Sequence, residues 1–170
     1  MIITSGKWGP NTFWDFHVDE EMPSVNIIAG ATIIFNQAGQ VLRTYNTERE
    51  QWETPGGHID PGEIAVQGAR RELFEEGGVD VSDLKFFGFT SVLNKKDVIN
   101  KETGDFYPRV GHSIYFCAIT DQIPTDELTA HECSHAEFVD RGDDRINKSD
   151  AIIIQAAYDF LQAHKKKEQS

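Results

Sequence analysis

The stretch GGHIDPGEIAVQGARRELFEEGGV, residues 56–79, decides how this chain folds and holds its densest group of acids. It begins and ends on paired glycines, which are typical of a turn on one side and a helix end on the other. Between them, residues 64–76 are predicted to form a helix. Asp60 is expected to cap it, Pro61 to sit in its first turn and Glu63 to suit its positive end.

On that helix, three glutamates occupy one face. Glu72, Glu75 and Glu76 stand at positions i, i+3 and i+4, which are neighbours on a helix surface. At an effective dielectric near 20, two like charges about 4 Å apart cost about 4 kcal/mol, so the cluster calls for a counter-charge. Arg71 is expected to orient one carboxylate only. A hard divalent cation such as Mg²⁺ satisfies the cluster and also binds substrate phosphates. The alternative is a solvated, glutamate-rich helix face.

The composition of the whole chain limits the classes of partner. The 170 residues carry a formal net charge of -12, which disfavours binding to duplex nucleic acid but allows a small nucleotide substrate held through a cation. We expect a single domain, 1–170, with residues 1–23 as an irregular or partly paired arm. The sequence shows no secretion signal and no membrane segment, and its two cysteines make no disulfide framework, so a cytoplasmic location is expected. The oligomeric state stays open, a homodimer included.

The remaining pattern predicts strands around the acidic helix and a second helix at the C-terminus. β-Branched and aromatic runs predict the strands, and Ser149 or Asp150 is expected to cap the second helix. This order favours an α/β or α+β sandwich. The predicted strands are residues 24–35, 41–45, 84–93, 110–120 and 136–140, and the second helix is residues 149–167.

The spacing of the fixed residues in 57–79 resembles the Nudix box of the Nudix hydrolase superfamily at every specified position. Those positions are Gly57, Glu63, Arg71, Glu72, Leu73, Glu75, Glu76, Gly78 and Val79. The resemblance implies an α/β/α sandwich with a mixed β-sheet. It also implies a metal-dependent hydrolase, using Mg²⁺ or Mn²⁺, that cleaves the diphosphate linkage of a nucleoside diphosphate derivative or a nucleoside triphosphate.

The resemblance also implies roles for single residues. Glu72, Glu75 and Glu76 match the family's metal-binding acids, and the carbonyl of Gly57 matches a backbone ligand. Glu63 and Arg71 are interpreted as an ion pair that fixes the loop to the helix.

The general base is expected either in the helix or in a distal loop, because both occur in the family. Glu72 and Glu75 are the helix candidates. Glu132 is the first distal candidate and Glu137 the second.

Substrate contacts are less constrained by the sequence. Trp52 and Tyr107 are the aromatic residues expected to line a pocket, and Arg43 stands near the strand end where many Nudix proteins carry an arginine. Residues 94–109 form a long polar loop, which we predict frames the variable part of the substrate, with Arg109 and three lysines meeting phosphate charge.

Three other interpretations were weighed. His131, Cys133 and His135 alternate as in a zinc site, but this is not a usual zinc spacing, and surface histidines beside a half-buried cysteine are favoured. A non-catalytic nucleotide-binding module is disfavoured by the intact acids. An enzyme resembling isoprenoid diphosphate isomerase is expected to have an altered box and a catalytic cysteine, whereas this box is unaltered.

Overall fold

The computed structural model describes residues 1–170, which form one nine-stranded sheet and two helices. Helix α1 is Ala65–Gly77, close to the predicted range, and helix α2 is Lys148–Glu168. The strands are β1 Ile2–Trp8, β2 Thr12–Val18, β3 Ile27–Phe35, β4 Val41–Asn46, β5 Gln51–Glu53, β6 Gly56–His58, β7 Lys85–Asn94, β8 Val110–Ile119 and β9 Cys133–Val139.

The sheet is mixed, as the resemblance implied. Its strand order is β1-β2-β7-β8-β3-β4-β5, with β6 paired to β3 and β9 paired to β4. Strands β3 and β8 are parallel, and every other pairing is antiparallel. The predicted irregular or partly paired arm, 1–23, is paired rather than irregular: β1 and β2 form a hairpin that continues the sheet through β7. The alternation of TFWDFHV was the overlooked strand signal.

The sheet divides at its centre, and this division positions the site. Strands β3 and β4 pair only at Phe35 and Val41 and then diverge. Beyond that point β6 pairs with β3, while β5 and β9 pair with β4. The two box glycines of β6 therefore lie in the opening between the two halves of the sheet.

The helices cover opposite faces of the sheet, which confirms the α/β/α sandwich. Leu73 of α1 packs with Ile34 and Leu42 on one face. Ile153 and Ile154 of α2 pack with other strand residues on the second face. Neither helix combines the length and apolar character needed to cross a membrane.

Small residues let α1 approach the sheet closely. A Cβ atom on Gly30 would lie 2.9 Å from the carbonyl oxygen of Ala65 and from the Cβ atom of Ala69. The face of α1 that carries Ala65 and Ala69 is therefore a packing surface. It presses the helix onto β3 and fixes where the acids of its last turns stand.

The predicted N-terminal caps of both helices are wrong. Helix α1 follows Ile64, which has no side-chain cap; instead the Ile64 N–H donates to the Gln67 side chain at 3.0 Å. Asp60 belongs to the preceding turn, where Gly62 has a φ of 86°. Helix α2 is capped by Asn147, whose side chain accepts from the backbone N–H of Asp150. Several residues of capping type, Asn147, Ser149 and Asp150, stand at the start of α2, so composition alone did not select the position.

Candidate active site

The three box glutamates lie at the C-terminal half of α1, facing the opening in the sheet. Glu76 is buried, with 4% of its surface exposed, and its Oε2 accepts from the Gly56 N–H at 3.1 Å. Burial raises the pKa of Glu76 to about 8. Burial also raises the pKa of Glu72, whereas the Glu75 side chain keeps 38% of its surface exposed. Two of the three acids are thus held where their charge is unfavourable without a cation.

Gly57 allows one of these carboxylates to touch the backbone of β6. A Cβ atom at Gly57 would lie 2.6 Å from the Oε1 of Glu72, closer than any real side chain approaches. The glycine therefore leaves room for a carboxylate beside the main chain. The Gly57 residue and the Glu72 carboxylate are adjacent, as two ligands of one ion require.

Arg71 donates hydrogen bonds to more acids than the sequence predicts. Its Nε donates to Glu63 at 3.0 Å, which is the predicted ion pair. Its guanidinium also donates to Glu72 at 2.9 Å and to Glu75 at 3.2 Å. The expectation that it orients one carboxylate is therefore wrong. A further bond to the carbonyl of His58, 2.9 Å, ties the arginine to β6.

The acids have the donor chemistry of a site for a hard cation, but in this conformation they do not converge on one point. No three acidic, histidine or cysteine side chains are arranged to hold a metal ion. The physical reason is that Arg71 donates to both Glu72 and Glu75, and Glu76 turns toward the Gly56 N–H. Carboxylates and a backbone carbonyl are nevertheless the ligands that Mg²⁺ takes. The residues fit a divalent cation if Arg71 releases Glu72 or Glu75.

The two distal base candidates lie on opposite faces of the sheet. Glu132 is half-buried, and its charge raises the pKa of both Glu72 and Glu76, so it lies near the box acids. Glu137 instead pairs with Arg145 at 2.7 Å. It alternates with Ala136, which packs on the α1 face, so Glu137 points to the α2 face, and its role as a base stays a prediction.

One acid beside the site was missed by the sequence analysis. The charge of Glu53, on β5, raises the pKa of Glu76, and its Oε1 accepts from Arg49 Nε at 2.6 Å. The sequence feature that could have identified Glu53 is its place in WETPGG, three residues before Gly56. Because β5 has only three residues, the sequence does not predict which face of the sheet the Glu53 side chain occupies.

The two arginines predicted to contact substrate have internal partners. Arg43 is 1% exposed and donates to Asp150 at 2.7 Å and to Thr54 at 2.8 Å, so it joins β4 to α2 from inside the protein. Arg109 donates to Asp97 at 2.9 Å and to the carbonyl of Lys95 at 2.7 Å, so it braces the loop. Arg43 is therefore closed off from substrate, whereas the exposed Arg109 side chain leaves its predicted contact a prediction.

The two predicted aromatic residues both line cavities on the α2 face. Trp52 belongs to a cavity of about 240 Å³ that also has Trp8, Tyr115 and Asp150 in its wall. Tyr107 belongs to a second cavity of about 320 Å³. Trp8 lines both cavities. It was not predicted from the sequence, because it lies in the N-terminal segment that was expected to form an arm.

The alternating histidine and cysteine residues form no metal site. Cys133 is buried, while His131 and His135 are exposed. The His135 ring contacts Trp52, with centroids 5.8 Å apart. This agrees with surface histidines beside a cysteine that packs inward.

Comparisons with known proteins extend the resemblance beyond the box. A relative named RNA pyrophosphohydrolase from Serratia proteamaculans is 39% identical over 72 residues, covering 42% of this chain and 38% of the relative. One of the same name from Escherichia coli is 38% identical over 72 residues, with the same coverage. The matched stretch therefore spans well under half the length of these curated relatives.

Solved structures share the fold at low identity. A pyrophosphohydrolase from Bacillus subtilis has a TM-score of 0.65 and 21% identity, over 99% of this chain and 98% of that one. The NUDIX domain of NrtR from Shewanella oneidensis, complexed with ADP ribose, has a TM-score of 0.59 and 15% identity, over 81% and 90%. The model of the NUDIX domain matches residues 26–155, and by this match the chain belongs to the Nudix hydrolase superfamily.

Proposed function

We propose that this protein is a metal-dependent pyrophosphohydrolase. Its substrate is a nucleoside diphosphate derivative or a nucleoside triphosphate, cleaved at the diphosphate linkage by water. The observation that carries the proposal is the set of acids at the opening of the sheet. Buried Glu76 stands beside Gly56 and partly buried Glu72 beside Gly57, with Glu75 and Glu132 close by. Burying several carboxylates together is unfavourable unless a cation compensates them.

The residues proposed to hold Mg²⁺ or Mn²⁺ are Glu72, Glu75, Glu76 and the carbonyl of Gly57. When bound, the metal neutralises phosphate oxygens and activates water. The oxygen of the water attacks one phosphorus atom, the bond from that phosphorus to the bridging oxygen breaks, and the bridging oxygen leaves with the other phosphate. A carboxylate accepts the proton of the water. Glu132 is the proposed base, with Glu72 and Glu75 as the helix alternatives.

Arg71 is proposed to position the acids rather than to contact substrate. Its guanidinium already joins Glu63, Glu72 and Glu75. Its charge offsets their mutual repulsion, so the helix face is stable before substrate arrives. Because Nε and Nη2 of Arg71 donate to Glu63 while Nη1 donates to Glu75, the arginine stays attached to the loop when it releases Glu75.

The cavity that contains Trp52 is the proposed place for the nucleoside. It lies beside Glu53 and Thr54, the residues just before the box glycines, so a phosphate chain can pass from it to the acids. Trp52 and Trp8 offer rings for stacking, and the carboxylate of Asp150 and amide of Asn147 offer polar contacts.

RNA is the second candidate substrate, because the curated relatives are named RNA pyrophosphohydrolases. The formal net charge of -12 favours the smaller substrates, since a long polyanion is repelled away from the metal. Whichever substrate is preferred, the same linkage and the same acids are used.

A substrate panel tests the proposal. Nucleoside triphosphates, ADP-ribose, diadenosine tetraphosphate and a 5′-triphosphorylated RNA oligomer are incubated with Mg²⁺ or Mn²⁺. Chromatography then identifies the products and so the bond that was cleaved. We expect at least one member to be hydrolysed by the parent and spared by Glu76→Gln. Tight binding without hydrolysis of any member would instead support a non-catalytic module.

A further inference from the structure

Arg145 lies over the ring of Trp52, in the part of the molecule where the nucleoside is proposed to bind. Its guanidinium carbon is 4.9 Å from the centroid of the indole. An arginine within about 6 Å of a tryptophan ring is attracted to the face of that ring. Trp52 lines the 240 Å³ cavity, whereas Arg145 is not in its wall. The arginine therefore acts on the ring from outside the cavity.

Two acids hold the Arg145 side chain in this position. Its Nη1 donates to Glu137 at 2.7 Å, and its Nε and Nη2 each donate to Asp143 at 2.9 Å. Asp143 also accepts from the Arg145 backbone N–H at 2.9 Å. A two-bond contact between arginine and a carboxylate fixes the orientation of the guanidinium plane. The cation is thus tied both to β9 and to its own loop, and two carboxylates balance its charge.

Two further rings contact Trp52 from the neighbouring strands. Trp52 pairs with Tyr45 of β4, and Tyr45 pairs with His135 of β9. Side chains directly opposite each other on antiparallel strands share one face of the sheet, so the three rings stand together. The ring centroid of Trp52 lies 5.5 Å from that of Tyr45 and 5.8 Å from that of His135. Neither of these two residues lines the cavity, so Trp52 alone presents its ring there from this cluster.

A ring that is already held in place binds a ligand better than a mobile one. Ordering a side chain at the moment of binding lowers the affinity, and a side chain that is ordered beforehand avoids this loss. Tyr45 and His135 contact Trp52 from within the sheet, whereas Arg145 covers a face of the indole from the loop between β9 and α2. Arg145 is therefore the contact that a change in this loop would remove.

We propose that Arg145 is a positioning residue that sets the orientation of Trp52 for stacking on the base of the substrate. The inference rests on the proposed function, which places the nucleoside in the cavity that contains Trp52. It adds a residue that controls the affinity for the nucleoside without acting on the phosphates. Because Glu137 and Asp143 offset its charge, Arg145 attracts a phosphate chain only weakly.

Binding measured with and without a nucleoside isolates this role. ATP and inorganic tripolyphosphate both carry three phosphates, but only ATP has a base. Calorimetry in Ca²⁺, an oxygen-binding cation, measures both affinities for the parent, Arg145→Ala, Trp52→Ala and the double variant. Arg141→Ala is the matched control. Arg141 stands in the same loop and lies over the ring of Tyr158, 3.6 Å from its centroid, and neither residue lines the cavity.

We expect Arg145→Ala to weaken ATP binding about 3- to 10-fold, part of the effect of one stacked base. Tripolyphosphate binding should change by less than about 2-fold, which also shows that the variant is folded. In the Trp52→Ala background, the Arg145 substitution should have no further effect, because its action passes through the ring. Arg141→Ala should leave both affinities unchanged.

Three results would overturn the inference. One is an equal loss, or no loss, for the two ligands in Arg145→Ala. Another is a loss of ATP affinity that persists when Trp52 is absent, and the third is an ATP affinity that Trp52→Ala does not change. Turnover is assayed separately in Mg²⁺, where kcat of Arg145→Ala should stay within about 2-fold of the parent. The expected binding pattern without any turnover would fail the proposed activity alone.

Discussion

The acid end of α1 consists of Glu72, Glu75 and Glu76, and the aromatic wall is the lining of the 320 Å³ cavity that contains Trp8 and Tyr107. These two regions differ in how the chain encodes them. The acids come from one helix, so their geometry follows from spacing within 23 residues, 57–79. The wall draws on β1, β3, β7 and the 94–109 loop, segments that only the sheet order brings together. Local spacing thus encodes the acids proposed for catalysis, whereas long-range pairing encodes the wall proposed to select the substrate.

The two regions also differ in what they cost the folded state. The acid end buries like charges, and their repulsion destabilises the folded state. A bound cation relieves this repulsion. The aromatic wall includes rings that are exposed to solvent, such as that of Trp8. Changes at the acid end should therefore affect rate and stability in opposite directions, and changes at the wall should affect substrate preference.

The largest expected effect comes from removing the metal. Excess EDTA should abolish hydrolysis, because the carboxylates alone cannot neutralise the phosphate oxygens, and added Mg²⁺ or Mn²⁺ should restore it. The measurement is phosphate release across the substrate panel. Full turnover in the chelator would show that the acid end is only a solvated helix face.

Replacing Glu76 by glutamine should lower turnover by at least about 10²-fold, because the amide keeps the size of a ligand but removes its charge. In EDTA the same variant should be more stable than the parent, by about 1–3 kcal/mol at pH 8, since a desolvated charge is removed. Chemical denaturation measures the stability. A variant of normal rate in saturating metal would exclude Glu76 as a principal ligand.

The raised pKa of Glu76 gives this variant a pH signature. The folded protein holds the proton up to about pH 8, whereas the unfolded chain loses it near the ordinary value of 4.5. Between these values the folded state binds more protons, so the stability contributed by protonated Glu76 is present below pH 4.5 and is lost as the pH rises through 8. Glu76→Gln should remove this part of the slope in EDTA.

How far the sequence predicts the molecule depends on the range of the interactions involved. The helix predicted at 64–76 and found at 65–77, with its glycine end at Gly78, follows from local spacing, and the Glu63–Arg71 pair follows from the family resemblance; the structure has all three. The pairing of the N-terminal hairpin with β7 does not follow from local spacing, because β7 is far along the chain. For the same reason the partner of Arg43, Asp150, could not be read from the neighbourhood of either residue.

A smaller effect is expected from closing the space beside Glu72. Gly57→Ala places a Cβ atom 2.6 Å from the Glu72 Oε1, so this carboxylate must move. We expect turnover to fall about 10-fold, the effect of a displaced ligand or its support. Gly142→Ala is the matched control, because a Cβ atom there meets nothing within 4 Å. Equal rates in both variants would show that Glu72 need not approach the main chain.

The smallest expected effect, and the one that sharpens the comparison most, is that of Trp8→Ala. Trp8 lines both cavities but contacts none of the box acids, and its partner within the protein is Trp14, with ring centroids 6.0 Å apart. Removing its ring should therefore raise KM about 3- to 10-fold for substrates that contain a base, as one lost stacking contact predicts. The value of kcat should change by less than about 2-fold, because uniform binding is removed.

Steady-state kinetics with one good substrate gives both values, and Ile2→Ala serves as the control. Ile2 lies on the same strand as Trp8, is 52% exposed and lines neither of the two cavities. If Trp8→Ala lowers kcat and leaves KM unchanged, the aromatic wall supports the chemistry of the acid end. The two regions would then form one functional unit rather than two.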